Sequence, residues 1–170
     1  ADTVTEVTFE LDLNSPLVQA SDICGAELTL DGTVAPNEVG LTCFLTVSGA
    51  DPEAVIEVFN AMPKTRDGRI VRRQREEYGR VEVTLDDTVP LVSAVNRGAT
   101  VLTASFDDGG GQLVVELSPE TNVRRLAGAL GQDGPAPVLT RRDQTRSPTT
   151  KREFQNELDE RLTERQATAL

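Results

Sequence analysis

The chain states one structural plan twice. Pro16-Leu17-Val18 opens a short apolar run that reaches Gly25-Ala26, and Pro90-Leu91-Val92 opens another that reaches Gly98-Ala99. In both copies an alternating segment precedes the run, and a strand, a turn, a strand and a helical segment follow it. A repeat distance of roughly 70 residues is domain-sized and too long for solenoid or propeller units. A chain of 170 residues can form one compact unit or two small ones, and the repetition favours two.

The first copy begins with Val7, Phe9, Leu11 and Leu13 alternating against Thr8, Glu10 and Asp12, the period of a half-buried strand. Ser15 is placed to cap a short helix with Pro16 in its first turn, and Gly25 ends it. Ala26, Leu28 and Leu30 give the next strand an inward face. A Pro36 to Gly40 turn leads to Leu41, Cys43, Leu45 and Val47, completing a hairpin. Asp51-Pro52 opens a second helix with Val55, Val58, Phe59 and Met62 on one stripe, and Pro63 closes it. A fourth strand is expected over Arg69 to Glu76.

The second copy repeats the order. Val81, Val83 and Leu85 alternate; Leu91, Val92 and Val95 mark a helix; Leu102, Ala104 and Phe106 face inward on a strand. The Asp107 to Gly111 turn leads to Leu113, Val115 and Leu117. Ser118-Pro119-Glu120 is placed to cap a helix bearing Val123, Leu126, Ala127 and Leu130, and a short strand is expected over Pro137 to Arg141. The expected fold is therefore α+β, two tandem ferredoxin-like (βαββαβ) modules over residues 1–77 and 78–142. Residues 143–170 read as a linker and a helix, with Thr150 and Glu153 as a capping box and Phe154, Leu158 and Leu162 on one narrow stripe suited to helix pairing. A second capping box, Thr163 with Gln166, starts a helix that the sequence does not complete, as in a fragment of something longer.

Charge and composition bound what such modules could do. The net charge is −11, and Lys64 and Lys151 are the only lysines, so the remaining basic residues are all arginine. An acidic surplus with scarce lysine suits a surface hydrated in concentrated salt and makes the segment as a whole a poor DNA binder. No run approaches a membrane span and no signal peptide is present, so a cytoplasmic protein without membrane contact is expected. Histidine is absent, which excludes a serine nucleophile with a histidine base. The cysteines Cys24 and Cys43 match no zinc or redox spacing. Cys43 alternates inward and reads as a buried reduced thiol, with a Cys24–Cys43 redox pair left open. No cofactor, metal or catalytic residue is expected.

Several stretches resemble the haloarchaeal bacterio-opsin activator-like transcription regulators. They are Asn14-Ser15-Pro16-Leu17-Val18 after the opening strand, Val47 through Val55, Arg97-Gly98-Ala99 before the second hairpin, and the tail Arg152-Glu153-Phe154 with Leu162-Thr163-Glu164-Arg165-Gln166 and Leu170. Members of that family often carry sensor domains of PAS or GAF type ahead of a C-terminal helix-turn-helix. The resemblance implies a domain lying between sensor and helix-turn-helix, with the helix-turn-helix itself missing here. DNA would then be met only through that absent part.

The most suggestive local feature is the basic island Arg66, Arg69, Arg72, Arg73 and Arg75, with Arg80 just beyond. Arginine forks bind carboxylates and phosphates, so an anion or a partner could sit there. An edge strand guarded by charge explains the same residues. Asp107-Asp108-Gly109-Gly110-Gly111 lacks EF-hand spacing and a P-loop lysine and reads as a turn. Paired carboxylates at Glu76-Glu77 and Asp86-Asp87 read as solvated surface. The leading expectation is a non-catalytic regulatory and coupling domain that forms a homodimer. The alternative is a sensing domain with an unknown small-molecule effector between the modules.

Overall fold

The computed structural model describes residues 2–34, 40–118, 120–131 and 136–146. The elements are β1 (Asp2–Leu11), α1 (Pro16–Cys24), β2 (Glu27–Val34), β3 (Leu41–Ser48), α2 (Pro52–Ala61), β4 (Thr65–Arg75), β5 (Tyr78–Leu85), α3 (Pro90–Asn96), β6 (Thr100–Asp107), β7 (Gly110–Leu117), α4 (Val123–Leu130) and β8 (Val138–Arg146). Their order repeats as the sequence pattern predicts. The helix expected beyond Thr150, with Phe154, Leu158 and Leu162, lies outside the described residues.

Local chemistry accounts for most boundaries. In β1, Val7 and Phe9 are fully buried while Glu6, Thr8 and Glu10 take the opposite phase. Pro16 sits in the first turn of α1, and Gly25 ends it at φ 63°, a conformation a side chain would resist. Ser15 occupies the cap position of α1 but its hydroxyl makes no capping bond. Asp51 does cap α2, accepting from the Glu53 amide at 3.0 Å. The cap of α4 is Asn122, not the Ser118 turn, and its side chain accepts from the Arg124 and Arg125 amides at 3.0 and 3.3 Å. Ser118 instead closes a turn onto Thr121.

The expectation of two tandem ferredoxin-like modules is overturned. All eight strands form one antiparallel sheet in the order β4-β5-β3-β2-β6-β7-β1-β8. The first strand of each repeat has crossed over: β5 lies between β4 and β3, and β1 lies between β7 and β8. The cause is the junction between repeats. Only Glu76 and Glu77 separate β4 from β5, and a two-residue connection makes antiparallel neighbours of the strands it joins. Once β5 fills that place, β1 pairs with the second hairpin. Alternation in β1 and β5 fixes which side chains point inward, not which strand lies alongside.

The helices cover one face, where Phe9, Phe59 and Phe106 are among the largest fully buried side chains in a continuous apolar core. Val55 and Phe59 of α2 are fully buried, with Val58 and Met62 partly so. The other face carries Thr42, Thr46, Thr84, Glu82 and Glu116, with Phe44 half-buried among them. Leu102 departs from its expected inward position. A bulge between Val101 and Thr103 breaks the alternation there and leaves Leu102 42% exposed. β8 runs to Arg146, past the Arg141 end that the sequence suggests.

The two halves meet at a narrow seam where β2 and β6 pair at Leu28–Phe106 and Thr29–Ser105. The buried Ser21 hydroxyl lies 2.5 Å from the Ala26 carbonyl and 3.1 Å from the Phe106 carbonyl, linking α1 to both sides of the seam. Gly79 marks another close approach. A Cβ there would lie 2.7 Å from the Arg72 carbonyl oxygen and 2.9 Å from Pro52 Cγ.

Because each half borrows a strand, fragments 1–77 and 78–170 should fail to unfold cooperatively alone and should recover a common transition when mixed. Circular dichroism melts check this, and cooperative melting of either fragment alone contradicts it. Gly79→Ala should cost about 1–3 kcal/mol by overpacking the contact between α2 and the β4–β5 hairpin, measured by denaturant unfolding.

Candidate functional site

The arginine island lies on β4, an edge of the sheet, and the structure does not gather it into one site. Register places Arg69 opposite Glu82, Arg72 opposite Arg80 and Arg73 opposite Gly79, with three irregularities along the strand. Arg69 grips Glu82 with two bonds, Nε to Oε1 at 2.9 Å and Nη2 to Oε2 at 3.0 Å. That grip raises the Arg69 pKa, first through the hydrogen bond and then through the charge of Glu82. Arg73 reaches the cap of α2 instead, pairing with Asp51 and lying 4.0 Å from Glu53 Oε2. Arg80 meets Asp31 at 3.3 Å, and Asp31 also accepts from the Thr46 hydroxyl at 2.6 Å. Arg66 lies near Asp86 and Asp87. Arg72 and Arg75 are exposed.

α2 fastens this edge. The Thr65 hydroxyl donates to the Phe59 carbonyl, and Asn60 exchanges bonds with Gly68, accepting at 2.9 Å and donating at 3.3 Å. Bulges, charge and side-chain clips protect an edge from pairing with another strand.

The opposite edge, β8, is built differently. Its described side chains from Val138 to Asp143 are all exposed. It pairs with β1 from Asp2–Arg146 to Phe9–Val138, so the start of β1 and the end of β8 are register partners. The Thr5 hydroxyl donates to Asp143 Oδ1 at 2.8 Å, and Thr5 is itself buried. At the other end of the strand, Ala136 is buried and donates its amide to Ala127 of α4.

The remaining candidates are structural. Asp108 and Gly109 both have positive φ, 51° and 77°, the geometry of a tight type I′ hairpin turn. Beside this hairpin lies an open cleft of about 410 Å³ bounded by Glu10, Ser105, Asp107, Gly110, Gly111 and Gln112. Asp86 accepts from the Thr88 amide at 2.7 Å, the bond that chiefly lowers its carboxyl pKa, while Asp87 is raised by its hydrogen bond with Asp86. Among the described residues, no group of three His, Cys, Asp or Glu side chains could hold a metal ion. Cys43 is a buried free thiol, pushed up to about 12 by burial, and Cys24 is free and partly exposed, its pKa raised by burial too. Among the described residues, no helix is long and apolar enough to cross a membrane.

The described residues thus form one sheet with a fastened edge at β4 and, at β8, an edge where the start and end of the described chain are register partners. The chain belongs to the family described as BAT, the GAF and HTH_10 associated domain, whose model matches residues 2–156. It is also 29% identical, over 172 residues, to a Haloferax volcanii protein described as a "Putative transcriptional regulator". That alignment covers 99% of this chain and 29% of the relative, so the chain spans less than a third of the relative's length. No solved structure gives a significant match. The resemblance to bacterio-opsin activator-like regulators drawn from the sequence is confirmed by these matches.

One charge in this arrangement is directly testable. The Asp51 carboxyl is held below its ordinary 3.8, first by the Glu53 amide and then by Arg73. A carboxyl depressed in the folded state contributes stability that is full above its unfolded pKa and is lost as pH falls through the folded one. Asp51→Asn keeps a capping oxygen and removes the charge. The variant should melt slightly below the wild type near neutral pH, with the gap closing below about pH 3.8. A gap that stays constant from about pH 7 down to about pH 2 would show that the charge contributes nothing.

Proposed function

We propose that this chain is a non-catalytic coupling domain of a transcription regulator, passing the state of a sensor domain to a DNA-binding domain. Family membership over residues 2–156, in a family described by its association with GAF and HTH_10, carries this reading. A net charge of −11 supports it, since a segment so acidic is poorly suited to hold DNA itself. The same charge suits a salt-rich cytoplasm, where the regulator would act. Homodimerisation is part of the proposal, through the stripe Phe154, Leu158 and Leu162 that follows the sheet.

The test is made in a full-length regulator expressed in a haloarchaeal host. Replacing the segment that matches residues 2–146 with a flexible linker of equal length should abolish condition-dependent changes in target transcripts while DNA occupancy persists. Transcript sequencing and chromatin precipitation read the two effects. Unchanged regulation after replacement would overturn the coupling role. For dimerisation, sedimentation of the 170-residue chain in high salt should show a dimer that Phe154→Glu with Leu158→Glu dissociates.

A further inference from the structure

We propose that β8 is a releasable strand and that its docking on β1 is the switch within this domain, an inference that rests on the coupling role proposed above. The sheet has two edges, and they are held in unlike ways. β4 is clipped to α2 through Thr65, Asn60 and Arg73, and Ile70 is packed against the core. Among the described residues, β8 has its extensive contacts with β1 alone. From Val138 to Asp143 it contributes no buried side chain. Releasing it exposes little apolar surface and breaks mainly solvent-accessible backbone bonds. Those are the features of a segment that opens without global unfolding.

The attachment also has a direction. Ala136 is buried and bonded to α4, and the Pro137 carbonyl accepts from the Glu10 amide at 2.9 Å, so the strand is rooted at its start. The far end lies against the start of β1, with Thr3 opposite Thr145 and Val4 opposite Gln144. Between root and tip stands the Thr5–Asp143 bond, with Thr5 buried in the core-facing strand and Asp143 on the exposed one. A displacement of the first residues of β1 therefore acts first on the tip of β8 and on that bond. β1 itself is held between β7 and β8, with Val7 and Phe9 buried, so it stays in place as β8 lifts. Peeling proceeds from Arg146 toward Val138, and it changes where the segment after β8 begins.

Amide hydrogen exchange on the 170-residue chain in high salt tests the strand. Thr140 to Asp143 should exchange about 100-fold faster than Leu113, Val115 and Leu45, and faster than Ile70 on the other edge, with rates independent of low denaturant. Thr5→Val keeps the buried shape and removes the bond, and Asp143→Ala removes it from the exposed side. Each should speed β8 exchange about fivefold and leave Leu45 unchanged. Equal protection of β8 and β7, or the same acceleration at Leu45 as at β8, would overturn the releasable strand. In the full-length regulator both variants should alter condition-dependent transcription at unchanged protein level. If β8 opens in exchange but transcription is unaffected by either variant, the switch is refuted while the coupling role stands. If linker replacement also leaves regulation intact, the coupling role fails as well.

Discussion

The two-residue turn at Glu76 and Glu77 governs this architecture. A strand that returns after two residues has no reach beyond its neighbour, so β5 completes the sheet beside β4 and cannot open a module of its own. Everything larger follows from that short leash. β1 is placed in the second half, α1 has to return across the seam, and one core forms where two would otherwise be built. The repeat survives as a mirror in strand order around the β2–β6 seam.

How much of this could be read from the residues depends on what kind of information each stretch carries. Alternation at Val7, Phe9 and Leu11, and at Val81, Val83 and Leu85, identifies strands and their inward faces because side-chain period is a local property. Partner choice is not local, and these two strands present interchangeable faces. The signal that distinguishes them is connection length, and the residue pattern hides it, because the expected strand runs through Glu76, one of the two residues that form the turn. Leu102 was obscured for a related reason, since a bulge shifts phase without leaving a compositional mark. At the α4 cap, Asn122 and Ser118 are both suitable residue types, and only geometry separates them.

The candidate sites divide in the same way. Arginine density on β4 was visible as a run, and a strand of that composition suits an edge. Its pairing with Glu82 and Asp51, and that of Arg80 on β5 with Asp31, was not visible, because those carboxylates lie in separate parts of the chain. The Thr5–Asp143 bond is the extreme case, joining residues at opposite ends of the described chain. Neither residue stands out by type, spacing or neighbours, and the bond exists only because β1 has been carried into the second half.

The narrow seam acquires a different meaning once the covalent path is followed. Two paired positions would be a weak bond between independent halves, easily sheared. Here the backbone itself crosses the seam repeatedly, from β1 back through α1 and from β5 onward to α3. The halves are tethered by these crossings as well as by the single apolar core they share. Hydrogen bonds at the seam can therefore stay few, because the covalent crossings and the shared core hold the halves together.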